Sequence, residues 1–241
     1  MGWFSVGYLL IAVIDFAVLV WALRLYRLYP STALWLASVP LGLMWFDNLT
    51  IGLGSTLGQG QLLLAMNTVR FLAHYIFLPF TIIAVGSMAK QAGFKWAQPQ
   101  WVIAGFCLLA TYFMAYDLWL FYNSDFYPSC FADTLRYTTH IAEWTVCSPD
   151  DVVGAGQKIP PVPAITLSNM LMLLGICLWW KFGYKWLFLG ALFATGFFAV
   201  PFSLTGGIVG NVGEPIISVV ILMAAVYITR TAGQVRQVEN A

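Results

Sequence analysis

The chain has 241 residues, of which 61% are hydrophobic and only 9% are charged. A soluble domain of this length carries about one charged residue in four, so the composition excludes an ordinary soluble protein and indicates an integral, multi-pass membrane protein. The formal net charge is +1, and no basic stripe is present to neutralise phosphates, which argues against nucleic acid as a partner. The expected location is the plasma membrane or an inner membrane.

Seven apolar segments are each long enough to cross a bilayer as a helix of about 20 residues. They run over residues 3–22, 32–54, 62–88, 101–122, 163–180, 185–205 and 213–230. The sequence therefore predicts an all-α membrane protein in which a single transmembrane domain, a seven-helix bundle, takes up the whole chain.

The positions of Lys and Arg predict the orientation of this bundle, because cytoplasmic loops are enriched in both residues. One set of helix ends carries Arg24, Arg27, Lys90, Lys95, Lys181, Lys185, Arg230 and Arg236. The opposite set carries only Arg136 and Lys158. We therefore expect the N-terminus to lie outside and the C-terminus to face the cytoplasm.

The segment 123–162 is the one sizeable loop between the predicted spans, and it lies on the outer side. It contains Cys130 and Cys147, and an oxidising exterior permits a disulfide between them. The residues between the two cysteines are rich in Thr, Tyr, Trp, Ile and Val, centred on Thr138 and Thr139. This pattern predicts a hairpin stapled across its base by the disulfide, with a short amphipathic helix as the alternative.

The second and third spans contain polar residues in otherwise apolar sequence. Asp47 and Asn48 lie in the second span, and a charge in the bilayer core costs at least a few kcal/mol unless it is paired or neutralised. Asn67, Arg70 and His74 in the third span are spaced three and four residues apart, so they share one helix face. Asp47 and Arg70 lie at nearly equal depth, which predicts an ion pair with either a structural or a functional role.

Further polar residues occur in the fourth and seventh spans. Asp117 lies close to the outer end of the fourth span, with Tyr112 and Tyr116 beside it. Glu214 precedes Pro215 where the seventh span is predicted to begin, and an acid at that position suits a helix N-terminus. Capping is therefore the expected role of Glu214, with catalysis as the alternative.

Polar side chains at membrane depth usually face the bundle interior or a cavity, so we expect a pocket in the outer leaflet. Asp15, in the inner half of the first span, is expected to stand apart from it. The predicted pocket contains Asp47, Asn48, Asn67, Arg70, His74 and Asp117, beneath a loop that bears His140 and Glu143. In an enzyme the catalytic residues would be Asp47, Asp117 and Glu214, and the substrate-binding residues would be Asn48, Asn67, Arg70, His74, Tyr112 and Tyr116.

Several kinds of chemistry lack a signature in this sequence. The chain has two histidines and no metal-binding spacing, no Cys-x-x-Cys and no Gly-x-Ser-x-Gly. We therefore expect neither a metal nor another cofactor. Acid–base catalysis by carboxyl groups in an apolar, aromatic-lined cavity remains, and it suits a lipid-soluble substrate. Aromatic faces there would stabilise a carbocation.

This layout resembles the integral-membrane terpene cyclases of meroterpenoid and indole-terpenoid pathways, which have seven helices and an outward N-terminus. The resemblance rests on chain length, span number and two acids, one late in the second span and one in the seventh. Carried over by position, they are Asp47 and Glu214, which the resemblance implies protonate and then quench an isoprenoid-like substrate. The family's second-span motif ends in Trp-Glu, whereas this chain reads Trp45-Phe46-Asp47-Asn48.

Two other classes fit the same sequence. A small transporter or receptor-like protein would bind a polar or anionic ligand in the outward pocket, with Arg70 as the counter-charge. A non-catalytic subunit of a larger membrane complex would have membrane-protein partners, short loops and exposed aromatic residues.

Overall fold

The computed structural model describes residues 2–239, with side chains described up to Thr231. The side chain of Arg236, counted above for orientation, lies outside the described residues. The structure is 75% helical. In chain order its main elements are α1 (Trp3–Leu28), α2 (Thr32–Leu57), α3 (Gln61–Phe77), α4 (Phe80–Gln91), α5 (Gln100–Tyr122), β1 (Tyr127–Phe131), β2 (Thr134–Thr138), α6 (Val162–Phe182), α7 (Trp186–Phe198), α8 (Phe202–Thr205) and α9 (Ile208–Glu239).

Six helical segments in the described part of the chain are long and apolar enough to cross a membrane. They are α1, α2, the joined α3 and α4, α5, α6 and α9. The segment 185–205, predicted as one span, contains the 13-residue α7 and the short α8. Pro201 separates them, because proline disfavours helical geometry in the residue before it and cannot donate a backbone hydrogen bond.

The predicted span 62–88 also divides at a proline. α3 ends at Phe77 and α4 begins at Phe80, with Leu78 and Pro79 between them. The two pieces together run from Gln61 to Gln91, which is 31 residues and more than one crossing needs. The break falls there because Pro79 has no backbone N–H to donate to the helical hydrogen-bond ladder.

The helices pack through small residues as well as through Leu and Ile. α1 lies along α2, both contact α9, and α7 packs between α6 and α9. A Cβ added at Gly175 of α6 would lie only 2.6 Å from the Cα of Phe188 in α7. Lipid tails are as apolar as these side chains, so no hydrophobic force drives the helices together. Close approach of the backbones at small residues provides packing contacts instead.

The loop between α5 and α6 contains an antiparallel hairpin whose turn lies at Ala132 and Asp133. Cys130 pairs with Leu135 in the ladder and is joined by a disulfide to Cys147, with the two Cα atoms 5.0 Å apart. The disulfide therefore ties β1 to a later part of the loop. This differs from the predicted hairpin, which was centred near Thr138 and stapled across its base.

The hairpin is held against the helix ends by two contacts. The Asp133 carboxylate accepts hydrogen bonds from the Phe4 N–H at 3.0 Å and the Ser5 N–H at 2.9 Å, which caps the first turn of α1. Burial raises the pKa of Asp133, but these hydrogen bonds outweigh burial and hold the pKa below its ordinary value. Gly54 of α2 lies directly against the Leu135 carbonyl, so the hairpin covers this end of the bundle.

Candidate functional site

Six polar side chains from four helices meet in the half of the bundle beneath the hairpin. They are Asp15 of α1, Asp47 and Asn48 of α2, Arg70 of α3, and Asn211 and Glu214 of α9. Asp47 and Arg70 lie about 15 Å and 14 Å from the hairpin-side ends of their helices, at 1.5 Å per residue. We call this set the polar network.

Asn48 is the centre of the polar network. Its Nδ2 atom donates to Asp15 Oδ2 at 2.9 Å and to Glu214 Oε2 at 3.0 Å, and its Oδ1 accepts from Asn211 Nδ2 at 2.8 Å. The Asn48 side chain is completely buried. A single amide therefore connects α1, α2 and α9, and it presents hydrogen-bond donors to two carboxyl groups.

Asp47 and Arg70 form the ion pair that the sequence predicts. Arg70 Nε lies 3.1 Å from Asp47 Oδ1, and the two side chains are 8% and 16% exposed. Asn211 Nδ2 reaches Asp47 Oδ2 at 3.4 Å, which joins the pair to the Asn48 hub. The guanidinium also lies over the Phe71 ring, 4.5 Å from its centroid. The pair is thus part of the larger network.

Comparisons with protein-family models, with curated proteins and with solved structures found no match to this chain. The site is therefore interpreted from its own geometry.

Glu214 does not have the position expected from the sequence. α9 begins at Ile208, so Glu214 lies near the end of its second turn and Pro215 is inside the helix. The prediction that Glu214 caps the helix is wrong in the structure. The fixed φ angle of proline is compatible with a helix, so a proline can lie inside one. Pro215 therefore does not mark the residue at which α9 begins. Glu214 instead directs its carboxyl group to Asn48.

Asp15 belongs to the polar network, although the sequence suggested that it stands apart. It is fully buried, and its Oδ1 atom has no hydrogen-bond partner among the described residues. Tyr8, Ile11, Asp15 and Val18 all lie on the buried side of α1. This spacing of three and four residues was the signal that could have placed Asp15 in the bundle interior.

Asp117 and its tyrosines lie on α5, and no hydrogen bond joins them to Asn48 or Asp47 in the part of the chain that the structure describes. Asp117 is buried, and its Oδ1 atom has no partner there. Tyr112 is 60% exposed and stacks on Tyr116, with 6.2 Å between ring centroids. The geometry therefore favours a role for the two tyrosines at the outer surface of the helix.

Asn67 and His74 share the face of α3 that carries Arg70. Asn67 is fully buried and donates to the Leu63 carbonyl of its own helix at 2.8 Å. Its Oδ1 atom has no hydrogen-bond partner within the described residues. His74 is partly buried. Both residues border the polar network without a hydrogen bond to Asp47 or Asn48 among those residues.

Sequence reasoning missed Arg136 and Tyr8. Arg136 lies on β2 and is only 8% exposed, beside the hydroxyl group of Tyr8. Tyr8 in turn donates to the Gly206 carbonyl at 2.7 Å. The expected cover residues have smaller parts: His140 forms a backbone bridge with Gly156, and Glu143 is exposed. The sequence indicates only that Arg136 is a charged residue of the loop. Nothing in its local sequence shows that the hairpin turns its side chain inward.

The charge of the polar network determines what it can do chemically. Three carboxyl groups, those of Asp15, Asp47 and Glu214, meet the one guanidinium of Arg70. Asp47 and Arg70 neutralise one another, whereas Asp15 and Glu214 share only the neutral Asn48 amide. Two carboxylates so placed repel one another where the dielectric constant is low. We therefore expect one of these two groups to hold a proton.

Metal chemistry has no support in the geometry of this site. Within the residues that the structure describes, no group of three or more His, Cys, Asp and Glu side chains is arranged to hold a metal ion.

Proposed function

We propose that the protein is a membrane-embedded enzyme that uses carboxyl acid–base catalysis on a lipid-soluble, isoprenoid-like substrate. The observation that carries this proposal is the link between Glu214 and Asp47 through Asn48 and Asn211. A non-catalytic subunit has no need for carboxyl groups in excess of their counter-charges, which are costly at membrane depth. This favours the enzyme over the non-catalytic subunit.

The environments of the two acids suggest different roles for them. Glu214, which shares the Asn48 amide with Asp15, is the proposed proton donor to an alkene or epoxide of the substrate. Asp47, paired with Arg70 at 3.1 Å, is the proposed acceptor of the proton that the resulting cation loses. This exchanges the roles that the resemblance implies for the two acids. One proton is added and one is removed, so a cyclisation or isomerisation of this kind consumes no cofactor.

The finer topology is part of the proposal. We propose seven crossings, with α7 and α8 together as the sixth, an outward N-terminus and a site in the outer leaflet of the plasma or inner membrane. The cations support this orientation, since the hairpin side carries fewer of them. The resemblance to membrane terpene cyclases supports the substrate class and names the same two acids.

The test is turnover of prenyl alkenes and epoxides by the full chain in membranes. Asp47→Asn and Glu214→Gln should each lower turnover by roughly 100-fold or more, because each removes a proton-transfer group while keeping its shape. Asp125→Asn, in the exposed loop, is the matched control and should keep full activity. If Asp47→Asn retains turnover in a folded, inserted protein, the acid–base assignment is wrong.

A further inference from the structure

Arg70 has more hydrogen-bond donors than the protein satisfies. Its Nε and Nη1 atoms are buried and have no hydrogen-bond partner among the described residues. Nε is close to Asp47 Oδ1, but the contact is an ion pair without an aligned hydrogen bond. A buried donor without a partner loses its hydration and gains nothing in return. The guanidinium therefore keeps the capacity to bind a further anionic group.

Arg136 is a second buried cation, and it has no carboxylate partner among the described residues. In the described part of the chain, no carboxylate oxygen lies within 4 Å of its side chain. β2, which carries Arg136, packs against α3, which carries Arg70. Burial lowers the pKa of the Arg136 guanidinium, and the like charge of Arg70 lowers it further. Tyr8 contributes only a neutral hydroxyl group beside Arg136.

The ratio of carboxylates to guanidinium groups near Arg70 and Arg136 differs from the ratio near Asn48. Asp47 forms an ion pair with Arg70, and its charge also raises the pKa of Arg136. Within the described residues, one carboxylate therefore acts on two guanidinium groups on this side of the site. Guanidinium groups bind phosphate oxygens in pairs, through planar forks of N–H donors. Two such groups at one place suit an oxyanion with several acceptor atoms better than a single carboxylate.

We propose that Arg70 and Arg136 form a subsite for a phosphate-type anion, the headgroup of a lipid with a prenyl-type chain. The assignment of this lipid as a substrate rests on the proposed function, whereas the anion site itself does not. Aromatic rings provide an apolar surface beside the subsite for the chain. Phe71, under the Arg70 guanidinium, packs on Phe126 with centroids 5.6 Å apart, and Phe126 packs on Phe121 at the same distance.

The experiment measures binding to the purified full chain in detergent, from its tryptophan fluorescence. The probes are a C15 prenyl monophosphate, the matching C15 prenyl alcohol and inorganic phosphate. We expect the prenyl phosphate to bind at least about tenfold more tightly than the alcohol, since buried charge-assisted hydrogen bonds are lost with the phosphate. Diphosphate added to the wild-type protein should displace the prenyl phosphate. This part of the experiment needs no variant.

The variants Arg70→Gln and Arg136→Gln should each weaken prenyl phosphate binding about tenfold or more, with little effect on the alcohol. Lys158→Gln removes an exposed cation of the same loop and is the matched control. Arg136→Lys keeps the charge and should recover part of the affinity. Melting temperatures show which variants are folded.

Equal affinity for prenyl phosphate and prenyl alcohol, or wild-type affinity in both glutamine variants, would overturn the subsite. If inorganic phosphate binds as tightly as the prenyl phosphate, the ligand is a free anion and the lipid assignment is wrong. Arginine-dependent binding without any turnover by the wild type would reject the enzyme while leaving the anion site in place.

Discussion

At the scale of single residues, Asn48 has more influence on the site than either acid. Its amide donates to the carboxyl groups of Asp15 and Glu214 and accepts from Asn211, which lies on the same helix as Glu214. An aspartate at this position would add a fourth carboxyl group to the network, and an apolar residue would remove its central donor. Asn48 therefore determines how the charges of Asp15 and Glu214 are shared.

We expect Asn48→Leu to destabilise the protein by about 3 kcal/mol, because it leaves the Asp15 and Glu214 carboxyl groups buried without their shared donor. Thermal unfolding in detergent would measure the loss. The control is Asn169→Leu, which replaces an exposed asparagine whose amide bonds only to its own helix. If both variants melt as the wild type does, Asn48 does not hold the network together.

The sequence correctly predicted a contact between two residues where their depth along neighbouring helices was enough to pair them. Asp47 and Arg70 could be paired because their positions along adjacent antiparallel helices match. The sequence does not reveal that Asn211 joins the site, and it suggests that Asp15 lies apart from the site. The contacts of both residues depend on how α1 and α9 are rotated about their own axes. That rotation follows from packing against several neighbours, which the sequence of one segment does not reveal.

At the scale of elements, the hairpin is the piece that completes the site. β2 contacts both α2 and α3, and it places Arg136 over the helix ends. The sequence indicated a hairpin in the loop but misplaced its turn. The Asp133 cap on α1 and the contact with Gly54 involve residues far away in the chain, so local propensity could not reveal them.

Gly54→Ala should weaken docking of the hairpin, because a Cβ there meets the Leu135 carbonyl of β2. We expect faster proteolysis of residues 123–162 and a lower melting temperature, by an amount equivalent to roughly 1–3 kcal/mol. Gly42→Ala in the same helix is the control, since no atom lies within 4 Å of its added Cβ. It should have no cost and favour the helix slightly. Equal protease resistance in both variants would contradict this close packing.

At the scale of the whole molecule, the bundle contains both continuous and broken helices. α1, α2, α5, α6 and α9 are each long enough to span a bilayer, and α3 with α4 forms a sixth segment. At 1.5 Å per residue, the 13 residues of α7 reach about 20 Å, less than the roughly 30 Å of a hydrocarbon core. The length of the proposed sixth crossing thus depends on how α8 continues from α7.

The orientation can be tested with single thiols in a variant that lacks the free cysteines Cys107 and Cys177. We expect Lys158→Cys to react with an impermeant maleimide in intact cells, because the sparsely basic side faces outward. Lys95→Cys, which is exposed at the opposite side, should react only after permeabilisation. Both should react in permeabilised cells, which checks exposure. The reverse labelling pattern would show that the N-terminus is cytoplasmic.

The sequence by itself determined that the chain is a helical membrane protein. It located α2, α5 and α6 closely, whereas α1 ends later and α9 begins earlier than predicted. The physical reason is that hydrocarbon offers the backbone no hydrogen-bond partners, so a long apolar segment has to bond internally as a helix. Tertiary structure alone decided that Asp15, Asn48 and Glu214 meet, and that Arg136 turns inward. Such contacts depend on helix rotation, on close approach at glycines and on long-range capping, which are properties of the packed chain.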